Sequence, residues 1–206
     1  MTMFMISRSQ TTCHGTNSCT AVTKRPLLLV AIIALWVLLT LFGCASPQVV
    51  YLKNNVHAHR SHDGKLKASY TNWVYPSPGH TVIPANTPVI IGPWRPGFYF
   101  ITQGTNQRIF FEYDQRYMPY NLSDYINLIT ASHPIPEAAF SEIDRKGIDS
   151  GKALTGMSKA GIRVALGYPA SHRTPSLKED VWVYWRNRHR QIRVCFGDDG
   201  TVIAVH

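Results

Sequence analysis

The chain has 206 residues, 45% of them hydrophobic, with 21 basic side chains against 12 acidic ones and a formal net charge of +9. A basic pair at Lys24-Arg25 heads a long apolar run of the kind that directs export, which argues against a nucleic-acid partner, so the positive excess points to anionic lipid or an acidic protein face. The part beyond that run is long enough, and rich enough in Trp, Tyr, Phe and Val, to bury one modest core or two small ones.

Lys24 and Arg25 precede an apolar stretch, Leu27 to Leu39, that has no polar side chain, and Leu41-Phe42-Gly43-Cys44 follows it. The small Gly43 suits a peptidase cutting before Cys44. This arrangement resembles a bacterial lipoprotein signal, with Leu41, Phe42 and Gly43 in the positions before the cysteine that becomes lipidated. A membrane-spanning anchor is the competing reading, since Pro26 to Leu52 carries no charge. Ala45, in the place where an aspartate commonly retains such lipoproteins at the inner membrane, directs the expectation to the outer membrane, facing the periplasm. Ahead of the signal, Cys13, His14 and Cys19 lack the paired spacing of a zinc site, and Val22 reads as an alternative start. With Cys44 acylated, Cys195 is the one remaining cysteine after residue 43, so no intrachain disulfide forms and packing must supply the stability.

The spacing then predicts a lipoprotein signal and its extension over 1–43, a tether over 44–55, a β-rich unit over 56–132 and a second unit over 137–206. In the β-rich unit the expected strands are Leu66 to Val74, Thr81 to Ile91 interrupted at Pro84-Ala85-Asn86, Gly97 to Thr102, and Gln107 to Tyr113. All are rich in aromatic and β-branched residues and bounded by turn clusters. His80 to Ile91 resembles the strand-turn-strand of bacterial SH3-like modules. A helix capped by Asn121 or Ser123 runs to Thr130, with Leu122, Tyr125, Ile126 and Ile129 at helical spacing. His133-Pro134-Ile135-Pro136 marks the boundary between units.

In the second unit Asp149 is expected to cap a short helix ending near Gly156, and Ser158 a second one over Lys159 to Leu166, stopped by Gly167 and Pro169. Strands over Val181 to Arg186, Gln191 to Phe196 and Thr201 to Val205 complete the expected fold class, α+β: two helices on a three-stranded antiparallel sheet.

Gly156-Met157-Ser158-Lys159, Leu166-Gly167-Tyr168-Pro169, Trp182-Val183-Tyr184 and Val194-Cys195-Phe196 with Asp199-Gly200 together resemble the motif pattern of the SmpA/OmlA, or BamE-like, outer-membrane lipoproteins. The resemblance covers about Ile148 to Val205. It implies a BamE-like fold, akin to the units of β-lactamase-inhibitor proteins, in which Met157, Leu166, Trp182, Tyr184 and Phe196 are core contacts. Gly156 would then stop a helix at positive φ, and Gly167 and Pro169 would turn into the sheet. It also implies a non-enzymatic envelope adaptor that helps assemble or stabilise outer-membrane proteins, with an outer-membrane or periplasmic protein as partner. The alternative is a periplasmic ligand or metal binder using the β-rich unit.

Three residue groups could carry chemistry. Trp185 with Arg186, Arg188, Arg190 and Arg193 forms a basic hairpin suited to lipid phosphate or an acidic partner. His57, His59 and His62 could ligate zinc or copper, but their surroundings read as a solvated stretch, so no metal or cofactor is expected. Glu112 and Asp114 read as solvated acids at a strand end, Ser158 is needed as a cap and Cys195 lies in a strand. No Gly-x-Ser-x-Gly, His-Glu-x-x-His or phosphate loop occurs, so an enzyme is not expected.

Overall fold

A computed structural model describes residues 48–74, 77–187 and 189–206, and these form one compact unit. The signal segment, Cys44 and Arg188 lie outside the described residues. Among the described residues no helix is long and apolar enough to cross a membrane.

The described residues contain eleven strands: β1 (Val49–Leu52), β2 (Val56–Arg60), β3 (Leu66–Ser69), β4 (His80–Ile83), β5 (Pro88–Trp94), β6 (Gly97–Thr102), β7 (Arg108–Glu112), β8 (Thr130–Ala131), β9 (Val181–Trp185), β10 (Gln191–Phe196) and β11 (Val202–Val205). Three α-helices accompany them, α1 (Leu122–Ile129), α2 (Glu142–Ser150) and α3 (Lys159–Leu166). The first eight strands make a single sheet in the order β4-β2-β3-β7-β6-β5-β1-β8, and the last three a second sheet in the order β11-β10-β9. All pairings in the large sheet are antiparallel except β3 with β7, the parallel pair that joins its two halves.

The fold class is therefore mostly β, which corrects the α+β expectation. A mixed eight-stranded sheet dominates, so the chain is neither a small SH3-like unit followed by a separate two-helix, three-strand domain nor a BamE-like arrangement. The physical reason is long-range pairing: local alternation reveals strands, but not that β3 and β7, forty residues apart in sequence, would close one sheet.

The expected tether is corrected too. Val49 to Leu52 is four apolar residues with no polar alternation, too short to read as a strand by itself, yet β1 pairs with β5 on one side and β8 on the other. Strand alternation builds the first core: Val56 and Ala58 of β2, Leu66 and Ala68 of β3, and Ile109 and Phe111 of β7 point inward, where Phe98, Phe100, Tyr125 and Ile129 meet them. A second core gathers Met157, Ile162, Leu166, Trp182, Tyr184, Val194 and Phe196, each almost fully buried.

The helix starting at Asp149 is also corrected. The helix there is α2, already ending at that point; Ser141 caps it, with Asp144 completing a capping box, and Gly151 closes it at φ 62°. Asp144 is 3% exposed and also accepts from Ser158 N at 2.8 Å, tying the starts of α2 and α3 together. Ser158 caps α3 through Gly161 N, and Gly167 ends it at φ 82°. A Cβ on Gly167 would stand 2.9 Å from Asn72 Nδ2, so a side chain is excluded there by space as well as by backbone conformation. Gly156 has φ 88° but lies between the helices, and does not stop one.

Candidate binding groove

The faces of β2, β3 and β7 that turn away from the core carry His57 and His59, Lys67 and Ser69, and Phe110 and Glu112, because side chains alternate along a strand. The register sets His59 beside Lys67, Lys67 beside Phe110, and Ser69 beside Glu112. On the other flank His80 of β4 stands opposite His59. His57, His59, Lys67, Ser69 and Glu112 floor a cleft of about 520 Å³, which Trp73 and the exposed His62 also line.

The imidazoles here are structural. His57 is 1% exposed, and its Nε2 lies 3.0 Å from the Ala165 carbonyl, which can only accept, so Nε2 carries the proton. Its Nδ1 then accepts from His80 Nε2 at 3.1 Å. Burial lowers the pKa of His57 to about 4, the His80 and His59 charges adding to the effect, and burial followed by the His59 charge does the same for His80. Both rings are neutral at pH 7. His59 Nε2 donates to the Trp73 carbonyl at 2.8 Å. The structure therefore packs His57 and His59 against His80, with His62 lining the same cleft, and corrects the solvated reading of His57. Among the described residues no group of three or more His, Cys, Asp or Glu is placed to hold a metal ion.

Next to this cleft lies a second one of about 800 Å³, sharing Ser69, Trp73 and Glu112 with the first. Its wall is a run of rings. Tyr70 stacks on Tyr117 at 6.2 Å between centroids, Tyr117 meets His172 at 5.3 Å, and His172 stacks with Trp185 at 6.3 Å. A short 3-10 turn, Gln115–Tyr117, presents Tyr117, 44% exposed, and Asp114 caps that turn.

Asp114 also grips the Arg116 guanidinium, with Nη2 to Oδ2 at 2.6 Å and Nε to Oδ1 at 3.0 Å; these bonds hold its carboxyl below the usual carboxylate range. Glu112 differs. Its carboxylate lines both clefts, and no ion pair or hydrogen bond holds it among the described residues. The indole N–H of Trp185 is buried with no hydrogen-bond partner among them either, a cost of about 1–3 kcal/mol for a group of this kind.

The basic hairpin is not one site. Trp185 belongs to the aromatic cleft, Arg186 N bonds the Arg190 carbonyl at 2.8 Å across the turn, and Arg190 is exposed. Arg193 lines a separate shallow cleft of about 300 Å³ with Arg173, whose Nη2 donates to Gln191 Oε1 at 3.3 Å. Reading the sequence missed Tyr70, Trp73, Tyr117, His172 and His80. The density of rings in Glu112 to Tyr120 was the one available signal; that His172 and Trp185 complete the run depends on tertiary packing. Comparison with protein-family models, with curated proteins and with solved structures finds no match to this chain.

Proposed function

We propose that the protein is an outer-membrane lipoprotein, anchored through Cys44 and facing the periplasm, that acts as a non-enzymatic envelope adaptor, with the double cleft over β2, β3 and β7 as its binding site. The observation that carries this reading is the aromatic run Tyr70-Tyr117-His172-Trp185 opening beside an unpaired Glu112 carboxylate. Concave, ring-rich surfaces with few convergent polar groups are where proteins take ligands.

Several details support a binder over a catalyst. The Asp114 carboxylate is committed to Arg116. Ser158 Oγ accepts from Gly161 N and donates to Asp144, and Cys195 sits within β10. The apolar run and Leu41-Phe42-Gly43-Cys44 support the envelope setting, and a lipid anchor raises the effective concentration of any weak contact made by the exposed Arg190 and Arg193 with anionic headgroups.

Metabolic labelling with palmitate tests the anchor: the wild type takes up label and fractionates with the outer membrane, and Cys44→Ser does neither. Equal labelling of the two overturns the reading. A photo-crosslinker installed at Tyr117 of the lipidated protein tests the groove, and yields an adduct that the same probe at the exposed Glu137 does not.

A further inference from the structure

We infer that the two clefts act as one groove for a linear, uncharged glycan, whose sugar rings stack on Tyr70, Tyr117 and Trp185 and whose hydroxyl groups bond to Glu112; this rests on the adaptor reading and names what the adaptor holds. The first support is shape. The clefts are open and contiguous through Ser69, Trp73 and Glu112, which suits a chain running through and not a small molecule enclosed on all sides.

The second support is ring spacing. Successive centroids lie 6.2, 5.3 and 6.3 Å apart, comparable to one pyranose unit, and the C–H faces of a pyranose pack on aromatic faces while its rim of hydroxyls stays free to hydrogen-bond.

Charge argues for neutrality. Asp114 and Arg116 neutralise each other and Lys67 and Glu112 on neighbouring strands balance, which leaves the exposed Arg60, bonded to the Gly64 carbonyl, as a single excess cation. A cationic polymer would therefore gain nothing from the groove, and an anionic one only the pull of one solvent-screened charge. An extended peptide is disfavoured for a different reason: the floor is the face of paired strands, β2 with β3 and β3 with β7, so it offers no open ladder for a peptide backbone to join. The Glu112 carboxylate, which lines both clefts and only accepts, is complementary to hydroxyls, which can donate to it.

The test is calorimetric titration of the detergent-solubilised full chain with chitohexaose and, in parallel, cellohexaose, at low and high salt. Saturable binding of either sugar that is insensitive to salt supports the inference, because an uncharged ligand is not screened. Tyr117→Ala should weaken it about tenfold, the upper end of what one ring contact is worth, while Tyr117→Phe retains it because stacking needs the ring and not the hydroxyl. Glu112→Gln should weaken it several-fold with the far-ultraviolet circular dichroism unchanged. No saturable binding of either sugar, binding that collapses with salt, or binding indifferent to Tyr117→Ala overturns the inference. Because the titration needs no lipid, glycan binding by a protein that takes up no palmitate would sink the anchor alone, and palmitate uptake without glycan binding would sink the glycan alone.

Discussion

The segment Asn54 to His57 and the hairpin Arg186 to Arg193 are both polar, and both read in isolation as solvated connections, yet they sit at opposite extremes. Asn55 and His57 are each 1% exposed, while Arg190 and Arg193 face solvent. Asn55 holds together elements from the whole chain. Its backbone N–H donates to the Val164 carbonyl at 2.8 Å, its Nδ2 to Ile148 O at 2.6 Å and Ala165 O at 3.2 Å, and its Oδ1 accepts from Ala85 N at 2.8 Å. With His57 on the same Ala165 carbonyl, this segment supplies from another part of the chain the donors that the last turn of α3 cannot find within itself. The hairpin instead closes on its own backbone, Arg186 N on the Arg190 carbonyl, and leaves Arg190 and Arg193 outward. Polarity alone does not tell a connection from a keystone; what decides is whether unpaired carbonyls lie within reach.

The comparison can be broken most forcefully where the hairpin is rooted. Trp182 lies in the same strand that ends at Trp185 but is 1% exposed and packs edge-on against Phe196 at 4.9 Å between centroids. Trp182→Ala should cost about 3–5 kcal/mol through lost burial and a residual cavity, measured as a fall in the urea midpoint. A loss under about 1 kcal/mol would mean that the second core does not depend on this strand.

Acid should act on the segment and not on the hairpin. His57 and His80 have folded pKa values near 4 against an ordinary 6.5, so in that interval the unfolded chain binds more protons than the folded one. Their contribution to stability is complete above pH 6.5 and disappears as pH falls from 6.5 towards 4. For buried His57 this amounts to about 3 kcal/mol, and for half-exposed His80 to less because solvent screens it. Denaturant melts at pH 7 and pH 4.5 measure the loss, and His57→Gln should flatten the slope. A slope unaltered by His57→Gln would show that other groups titrate there.

Asn55→Ala removes three side-chain bonds and strands the Ala85 N–H, while the Ile148 and Ala165 carbonyls keep their bonds from Gly151 N and His57 Nε2; the expected loss is about 1–3 kcal/mol. Hydrogen exchange sharpens this: amides at the end of α3 should lose protection before those of β6. The smallest effect belongs to the hairpin. Arg190→Glu with Arg193→Glu should change stability by no more than about 0.5 kcal/mol, while reducing co-sedimentation with anionic liposomes at low ionic strength. Unchanged sedimentation would leave the hairpin as a solvated turn with no lipid role.

Much of the local structure was legible in the chain. Gly97 to Thr102 and Gln191 to Phe196 are strands over the limits their alternation indicates, Asn121 and Ser158 cap the helices they precede, and Met157, Leu166, Trp182 and Phe196 meet in one core. The capping of α2 was misread because Asp149 and Ser141 are equally good caps in isolation, and the capping box with Asp144 decided between them. The candidate groove was less legible. Glu112 and Asp114 stood out as neighbouring acids, but one is paired and the other is not, a distinction set by where Arg116 folds back.

By itself, then, the sequence determined the apolar alternation, the caps and turns, and the residues able to fill a core, because each is a property of a few consecutive residues meeting water on one side. Tertiary structure alone decided which polar side chains are buried and which rings line up. The partners of Asn55 and His57 lie 93, 110 and 108 residues away, and Tyr70, Tyr117, His172 and Trp185 come from four separate stretches. The same long-range pairing that turned two expected units into a mostly β fold built the groove, because only after β3 pairs with β7 do Ser69 and Glu112 become neighbours.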